Sequence, residues 1–281
     1  MPLLATSERH VNVKQALAKQ AGFRRDAEAL LLHCLGREER AWLIAHDTDE
    51  LPEAVVTEFE QLCQQRRSGT PLAYLLGFRE FWSLKLKVTP DVLIPRPETE
   101  YLVEWAIEIS ESQGSSNLLD MGTGSGAIAL AMKSACPQLE VTATDTSTEA
   151  LAVAHENAEA LGLDIELAES DWWSGLVGRV WSLIVSNPPY IAANDPHLSA
   201  GDLRFEPTTA LTDGDDGLAA IRTIIDTSPD HLEVGGWLLI EHGYDQAASV
   251  AKLMRERGFG NVTLRHDLAG RPRVTGGCWS A

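Results

Sequence analysis

Apolar residues along this chain change their spacing near residue 78, and the change divides it into a helical part and a strand-bearing part. Upstream the spacing is three and four. Val13 to Ala21 is rich in helix formers and ends at Gly22, and Arg25 to Leu35 carries Ala29, Leu30, Leu32, His33 and Leu35 before closing on Gly36 as a C-cap. Pro52 opens another helix, with Val55, Val56, Phe59, Leu62 and Cys63 on one stripe, and Ser68-Gly69-Thr70-Pro71 ends it. This predicts a small helical bundle with its own core, in which no residue looks catalytic.

Downstream, Phe78 to Ile94 alternates like strands around a turn at Thr89-Pro90-Asp91, which predicts a β-hairpin linking the two parts. Pro95-Arg96-Pro97-Glu98-Thr99-Glu100 leads into a helix running to about Ser110, with acids at its favourable N-terminal end. From Asn117 strands and helices alternate. The strand candidates are Asn117–Met121, Glu140–Thr144, Asp164–Ala168, Val180–Val185, Gly236–Glu241 and Val262–Arg265, with Arg273–Cys278 as a further one. The helix candidates are Ala127–Ala135, Thr148–Leu161, Gly217–Thr227 and Gln246–Arg257. Such alternation predicts an α/β domain with a mostly parallel sheet covered on both faces. The domain limits that follow are 1–75 for the helical domain, 76–95 for the hairpin linker and 96–281 for the α/β domain.

Composition narrows the function classes. At 281 residues the chain has room for two domains at roughly 150 residues each and needs no disulfide or metal staple. With 44% hydrophobic and 23% charged residues it is not a disordered chain. The formal charge of -18 weighs against a protein whose main task is gripping duplex nucleic acid. The acid is uneven: residues 1–80 hold 10 Lys+Arg and 12 Asp+Glu, residues 81–281 hold 13 and 29. Cys34, Cys63, Cys136 and Cys278 form no CxxC pair and no zinc-type cluster with histidine, so no metal is implied, and a reduced, cytoplasmic compartment is expected. The opening MPLLATSERH does not resemble a signal peptide, and no run of 18 apolar residues would span a membrane.

Two motifs carry chemistry. The first is Leu118-Leu119-Asp120-Met121-Gly122-Thr123-Gly124-Ser125-Gly126, a strand, a glycine-rich turn and a helix start. Its free backbone N–H groups can hold polar ligand atoms. A plain tight turn, or a loose dinucleotide fingerprint at Gly122-x-Gly124-x-x-Ala127, would account for these residues alone. Asp145 ends the next strand, 19 residues beyond Gly126, where an acid can accept from ribose hydroxyls. No phosphate-binding lysine follows the loop, and Asp120 before it suits a cationic cofactor without a pyrophosphate, as S-adenosylmethionine (SAM) is.

The second motif is Ser186-Asn187-Pro188-Pro189-Tyr190, directly after an apolar strand. Two prolines fix their own φ, extend the residue before them and remove N–H donors. The turn is left with acceptors, the Asn187 side-chain oxygen and the Pro188 carbonyl. These suit a substrate –NH2 on a planar conjugated group, whose nitrogen is a poor nucleophile until both N–H bonds are held and its lone pair faces an electrophilic methyl. Tyr190 can pack on the flat group. Catalysis would be positioning plus electrostatics, without a covalent intermediate. Trp172, after Asp171, could flank an adenine, although a tryptophan half buried under a loop fits equally. His197, His242 and His266 have neither metal spacing nor a paired nucleophile.

With these residues in place, the chain resembles a class I SAM-dependent methyltransferase, and more closely the HemK/PrmC family. The finer resemblance lies in Ile94-Pro95-Arg96-Pro97-Glu98-Thr99-Glu100, Ser170-Asp171-Trp172, Val185 to Ile191, Asp195-Pro196-His197-Leu198, Arg204-Phe205-Glu206-Pro207 and Glu241-His242-Gly243. It covers nearly the whole chain. It implies a Rossmann-like methyltransferase domain and methylation of the side-chain amide nitrogen (N5) of the glutamine in the Gly-Gly-Gln motif of peptide-chain release factors, a modification that modulates translation termination. SAM would be the cofactor and S-adenosylhomocysteine the product. The resemblance further implies that Gly122, Thr123, Gly124, Ser125 and Gly126 wrap the cofactor, that Asp145 holds its ribose and that Trp172 lies by its adenine, with Trp173 an extra neighbour. Asn187 and Pro188 would accept from the substrate amide, with Pro189 in the same turn and Tyr190 packing on the amide. Arg96 to Glu100 would sit near the methionine end of the cofactor, and the helical domain would help grip the release factor.

Three other readings use part of the same residues. A methyltransferase acting on an exocyclic base amine such as adenine N6 would employ the same turn, but the acidic charge and the lack of a basic recognition segment oppose it. A nicotinamide-dependent oxidoreductase would use the glycine loop and leave Asn187 to Tyr190 without a purpose. A non-catalytic adaptor would need neither motif.

Overall fold

The computed structural model describes residues 11–280; the opening stretch read above for a leader, residues 1–10, and residue 281 lie outside the described residues. The chain forms two compact units, divided between Gly77 and Phe78. The first holds α1 (Val13–Ala18), α2 (Arg24–Cys34), α3 (Arg40–Ala45), α4 (Glu53–Arg67) and α5 (Leu72–Leu76). Asn12 caps α1 reciprocally with Gln15, the Asn12 side chain accepting from Gln15 N and the Gln15 side chain from Asn12 N. Its core gathers Val13, Leu17, Leu30, Leu31, Phe59 and Cys63. Glu28 is buried on α2 and accepts from Arg24 Nε at 3.1 Å and Arg40 Nε at 2.6 Å, so the carboxylate is paired. The predicted helix through Ala21 ends earlier, at Ala18, and α3 and α5 are additions too short to show a period.

The second unit opens on a hairpin, β1 (Phe78–Phe81) and β2 (Leu84–Lys87). Its turn is Trp82-Ser83, not Thr89-Pro90-Asp91. Both turn residues are left-handed, at φ 50 and 60, the geometry a two-residue hairpin loop demands and that is usually met by Asn or Gly. After α6 (Glu100–Gln113) come β3 (Asn117–Met121), α7 (Ala127–Ala135), β4 (Glu140–Asp145), α8 (Thr148–Leu161), β5 (Glu166–Glu169) and β6 (Trp181–Ser186). A short α9 (Thr208–Leu211) lies in the long connection that follows. The chain ends with α10 (Ala219–Thr227), β7 (Leu232–Glu241), α11 (Ala247–Arg257), β8 (Gly260–His266) and β9 (Pro272–Cys278).

The sheet order is β5-β4-β3-β6-β7-β9-β8, parallel except for β9, which runs against both neighbours. The central strands β3 and β6 are buried on both faces, while the edge strands β5 and β8 are largely exposed, and the alternation of the central strands sorts the core. Leu118, Leu183, Val185 and Leu239 pack with α6 and α7; Leu119, Met121, Ile184, Leu238 and Ile240 pack with α10 and α11. Each such side chain, buried to within a few per cent, stabilises the fold by about 1.5–3 kcal/mol over exposure. The strand order reverses between β3 and β6, and the carboxyl ends of these two strands therefore open a crevice at the switch point. Both chemical motifs lie there. Among the described residues no helix is long and apolar enough to cross a membrane.

Candidate active site

The glycine turn after β3 takes its shape from three left-handed residues, Gly122, Gly124 and Gly126, at φ 72, 56 and 83. Only glycine adopts that conformation without a steric penalty. Gly122 N and Thr123 N both donate to Thr144 O at 2.9 Å, which ties the turn to the end of β4. A Cβ on Gly122 or Gly124 would meet nothing within 4 Å, so these faces are open to a ligand, whereas at Gly126 it would lie 3.1 Å from Leu130 Cδ1. Gly126 thus serves helix packing. Thr123 turns inward and donates to Asp120 Oδ2 at 2.7 Å, and Ser125 is buried beneath the loop.

Asp145 lies at the end of β4. Its Oδ2 accepts from Gly124 N at 2.9 Å and its Oδ1 from Ser147 N at 3.0 Å. Each carboxylate oxygen retains a further lone pair for a hydroxyl donor. Asp120 is fully buried; Oδ2 also accepts from Ala129 N at 3.1 Å, and Oδ1 has no protein partner. Burial pushes its carboxyl up to about 7, against the opposing pull of Thr123 and the Ala129 N–H.

The Asn187 to Tyr190 turn faces the glycine loop from the end of β6. Asn187 Nδ2 donates to Thr99 Oγ1 at 3.2 Å, while Asn187 Oδ1 is buried and unpartnered. Tyr190 O accepts from Gln246 Nε2 at 2.9 Å, and Gly217 fits against the same carbonyl so closely that a Cβ there would lie 2.4 Å from it. The Tyr190 side chain packs on the core beside α10 and α11, its hydroxyl toward the buried Glu241, and burial holds its proton well above the usual tyrosine range. Burial likewise pushes Glu241 up to about 7, opposed by the nearby charge of Arg273, and its Oε2 has no partner.

Both carboxyls hold their proton more tightly in the folded chain than in the unfolded one. Their contribution to stability is complete below the ordinary carboxylate range near pH 4 and is lost as pH climbs through about 7. Asp120→Asn keeps an acceptor for Thr123 and Ala129 and removes the charge. It is expected to raise Tm in neutral buffer and to flatten the decline of Tm between about pH 4 and about 7. Thermal unfolding of both proteins across that window checks it; identical slopes would show that Asp120 does not titrate there.

Gly122, Gly124, Asp145, Trp172, Asn187 and Pro189 line one cavity of about 650 Å³. That volume is in the range of small-molecule and cofactor sites. Of the other predicted site residues, Thr123, Ser125, Gly126, Pro188 and Tyr190 are not among those that line it. Trp172 stands on the cavity with a left-handed φ of 49, whereas Trp173 is buried, donates from Nε1 to Thr223 O at 3.1 Å and stacks on His231 at 4.6 Å. Pro90 to Leu93, read from sequence around a hairpin tip, form another part of the wall. Pro207, Thr209, Ala210 and Asp213 from the long connection after β6 complete it. The segment Arg96 to Glu100 does not line the cavity. Arg96 pairs with the buried Glu206, whose other oxygen accepts from Ile94 N at 3.0 Å, and this pair fixes the long connection.

One supporting residue escaped the sequence reading. Asn157 of α8 is buried; its Oδ1 accepts from Lys87 N at 2.6 Å, and its Nδ2 donates to Lys87 O at 3.1 Å and Ser125 O at 2.9 Å. The signal was present, because Asn157 falls on the buried stripe Ala150, Val153, Ala154, Ala158 where an apolar residue would be expected. His242 is also buried and satisfied, between Thr275 Oγ1 at 2.7 Å and Gly243 O at 2.9 Å.

Comparison with known proteins agrees with this layout. The family model described as "PrmC N-terminal domain" matches residues 11–77, and that described as "Methyltransferase small domain" matches residues 101–206. A release factor glutamine methyltransferase of Bordetella pertussis is 50% identical over 266 residues, covering 94% of this chain and 98% of that protein. One of Escherichia coli K12 is 45% identical, covering 90% and 91%. Among solved structures, the ribosomal protein L11 methylase of Lactobacillus delbrueckii subsp. bulgaricus has a TM-score of 0.51 at 23% identity, covering 70% of this chain and 86% of that one. The human Mettl16 catalytic domain bound to an RNA hairpin has 0.56 at 17%, covering 80% and 81%. At these identities the structures share the fold, a class I methyltransferase domain. The open faces of Gly122 and Gly124 and the acid at the end of β4, all on the cavity, fit a cationic nucleoside cofactor. The chain belongs to the release factor glutamine methyltransferase family, and it is an enzyme that uses S-adenosylmethionine.

Proposed function

We infer that this enzyme methylates the N5 amide nitrogen of the glutamine in the Gly-Gly-Gln motif of peptide-chain release factors. The observation that carries the reading is Asn187, a residue of the cavity wall whose buried Oδ1 has no partner, beside two prolines that offer no N–H. An unmet buried acceptor costs about 1–3 kcal/mol, and a substrate N–H would meet it. Asn187 Oδ1 and the Pro188 carbonyl would hold the two amide hydrogens, Pro189 would keep the turn extended, and Tyr190, packed on the core, would brace the turn from behind. Held this way, the nitrogen lone pair stands out of plane and faces the methyl donor. Gly122 to Gly126 would wrap the cofactor, Asp145 would hold its ribose and Trp172 would flank its adenine. SAM, when bound, would supply an electrophilic methyl on its sulfonium, and the turn would present the amide nitrogen to it. The domain 1–75 would help grip the release factor.

Labelled SAM, mixed with wild-type release factor and with a factor whose Gly-Gly-Gln glutamine is replaced, tests this reading, with DNA and RNA in parallel. Label on the wild-type factor alone is expected. Label on nucleic acid alone would keep the chemistry of the Asn187 turn and replace the substrate by a base amine.

A further inference from the structure

Prolines at positions 188 and 189 leave the middle of the Asn187 turn without backbone N–H groups, so it cannot be pinned there through its own donors. A grip must come from side chains or through carbonyls. Gln246 supplies one. It stands at the N-cap of α11, yet its side chain makes no capping bond and turns to other segments. Nε2 donates to Tyr190 O at 2.9 Å and to Gly217 O at 3.1 Å, and Oε1 accepts from Gly243 N at 2.9 Å. These partners determine the orientation of the amide. Gly243 N can only donate and the two carbonyls can only accept, so a flipped amide would lose all three bonds. Gly217 is buried with φ 79, and a Cβ on it would lie 2.4 Å from Tyr190 O and 2.9 Å from Gln246 Nε2. The junction thus excludes any side chain at that position.

We propose that Gln246 is a positioning residue for methyl transfer, a clasp that fixes the exit of the Asn187 turn through the Tyr190 carbonyl. The entry of the turn is held separately, by Asn187 Nδ2 on Thr99 Oγ1 at 3.2 Å. The clasp governs the other end, and so sets how the turn lies across the ends of β6 and β7. The cofactor side does not depend on it. The glycine loop is tied to Thr144 O and to Asp145. Asp213, on the cavity wall, holds its own loop by accepting from Asp215 N, Gly217 N and Ala219 N. Sequence neighbours do not show the clasp: Tyr190 and Gln246 are 56 residues apart.

The proposal rests on the Asn187 turn holding the acceptor nitrogen, and the test separates the two. Gln246→Glu keeps the shape and the acceptor for Gly243 N. Ionised, it sets a carboxylate against two carbonyls; protonated, it can donate to one of them. Gln246→Met keeps the bulk and donates at no pH. Kinetics with release factor, from about pH 8 down to about 5.5, are paired with SAM affinity for both variants, Asn187→Ala and wild type. At the alkaline end both Gln246 variants are expected to lower kcat about tenfold to a hundredfold, the scale of a misplaced reacting group, with SAM affinity within about threefold. As pH falls, the rate of Gln246→Glu relative to Gln246→Met should climb, because the flanking carbonyls favour the protonated acid and its O–H restores the donor. That ratio cancels the titration of Asp213, Tyr190, Glu241, His242 and Asp245 around the clasp, which both variants keep. Full kcat in Gln246→Met beside an inactive Asn187→Ala would overturn the clasp and leave the role of the turn standing. A ratio that does not move with pH, or losses of SAM affinity as large as those of rate, would reduce Gln246 to a packing role and also overturn it. An active Asn187→Ala would overturn the role of the turn and the clasp together.

Discussion

Asn187→Ala is expected to lower kcat by about 10²–10³, the range seen when one preorganised group of a reacting centre is removed. The side chain does two things that alanine cannot. In the proposed reading its Oδ1 would accept from the substrate amide, and its Nδ2 anchors the turn to Thr99. Neither role concerns the cofactor directly, since the glycine loop and Asp145 are held by their own contacts to β4 and to each other. SAM affinity should therefore fall far less than turnover. Steady-state kinetics with release factor, paired with calorimetric titration of SAM, measure the two quantities separately. Equal losses in both would mean that Asn187 serves the cofactor.

Asp145→Ala should show the converse pattern. Asp145 closes β4 with one oxygen on Gly124 N and the other on Ser147 N, so it both shapes the glycine turn and lines the cavity. Hydrogen bonds to a charged group contribute about 1.5–3 kcal/mol, which translates to about a tenfold to hundredfold loss of SAM affinity. With SAM at saturation, most of the turnover should return, because the Asn187 turn is untouched. Asp145→Asn, which can still accept from Gly124 N, should fall between the two. Unchanged SAM affinity in Asp145→Ala would remove the ribose from its role.

The parts of this molecule that were legible in its sequence are those encoded by neighbouring residues. β3, α7 and α8 begin and end at the residues their pattern predicts, because Gly126, Ser147 and Gly162 mark the changes of backbone direction. The glycine loop and the Asn187 turn are contiguous motifs. What stayed hidden is either disguised or remote. The hairpin turn is Trp82-Ser83, residues that do not announce a left-handed conformation, while Thr89-Pro90-Asp91 begins a genuine turn, closed by Val92 N on Thr89 O at 3.1 Å, that lies after the hairpin and places Pro90 and Asp91 on the cavity. β7 begins at Leu232, four residues before its predicted start, because Gly235 and Gly236 look like a break and are accommodated by a register shift opposite β6. Glu206 holds Arg96 across 110 residues, a distance over which no periodicity carries information. Thr99 receives Asn187 Nδ2 from 88 residues away, a contact that needs the fold to bring the start of α6 to the end of β6.

The single side chain of Asn157 ties the end of β2 to Ser125 of the glycine turn, segments otherwise unrelated in sequence. Free energy cannot be exchanged across such a latch in one direction only. Whatever a ligand contributes by quieting the turn must also be felt at the hairpin, and whatever holds or strains the hairpin must return to the turn in equal measure. The hairpin is thus a reciprocal thermodynamic partner of the cofactor pocket, although neither of its strands touches the cavity.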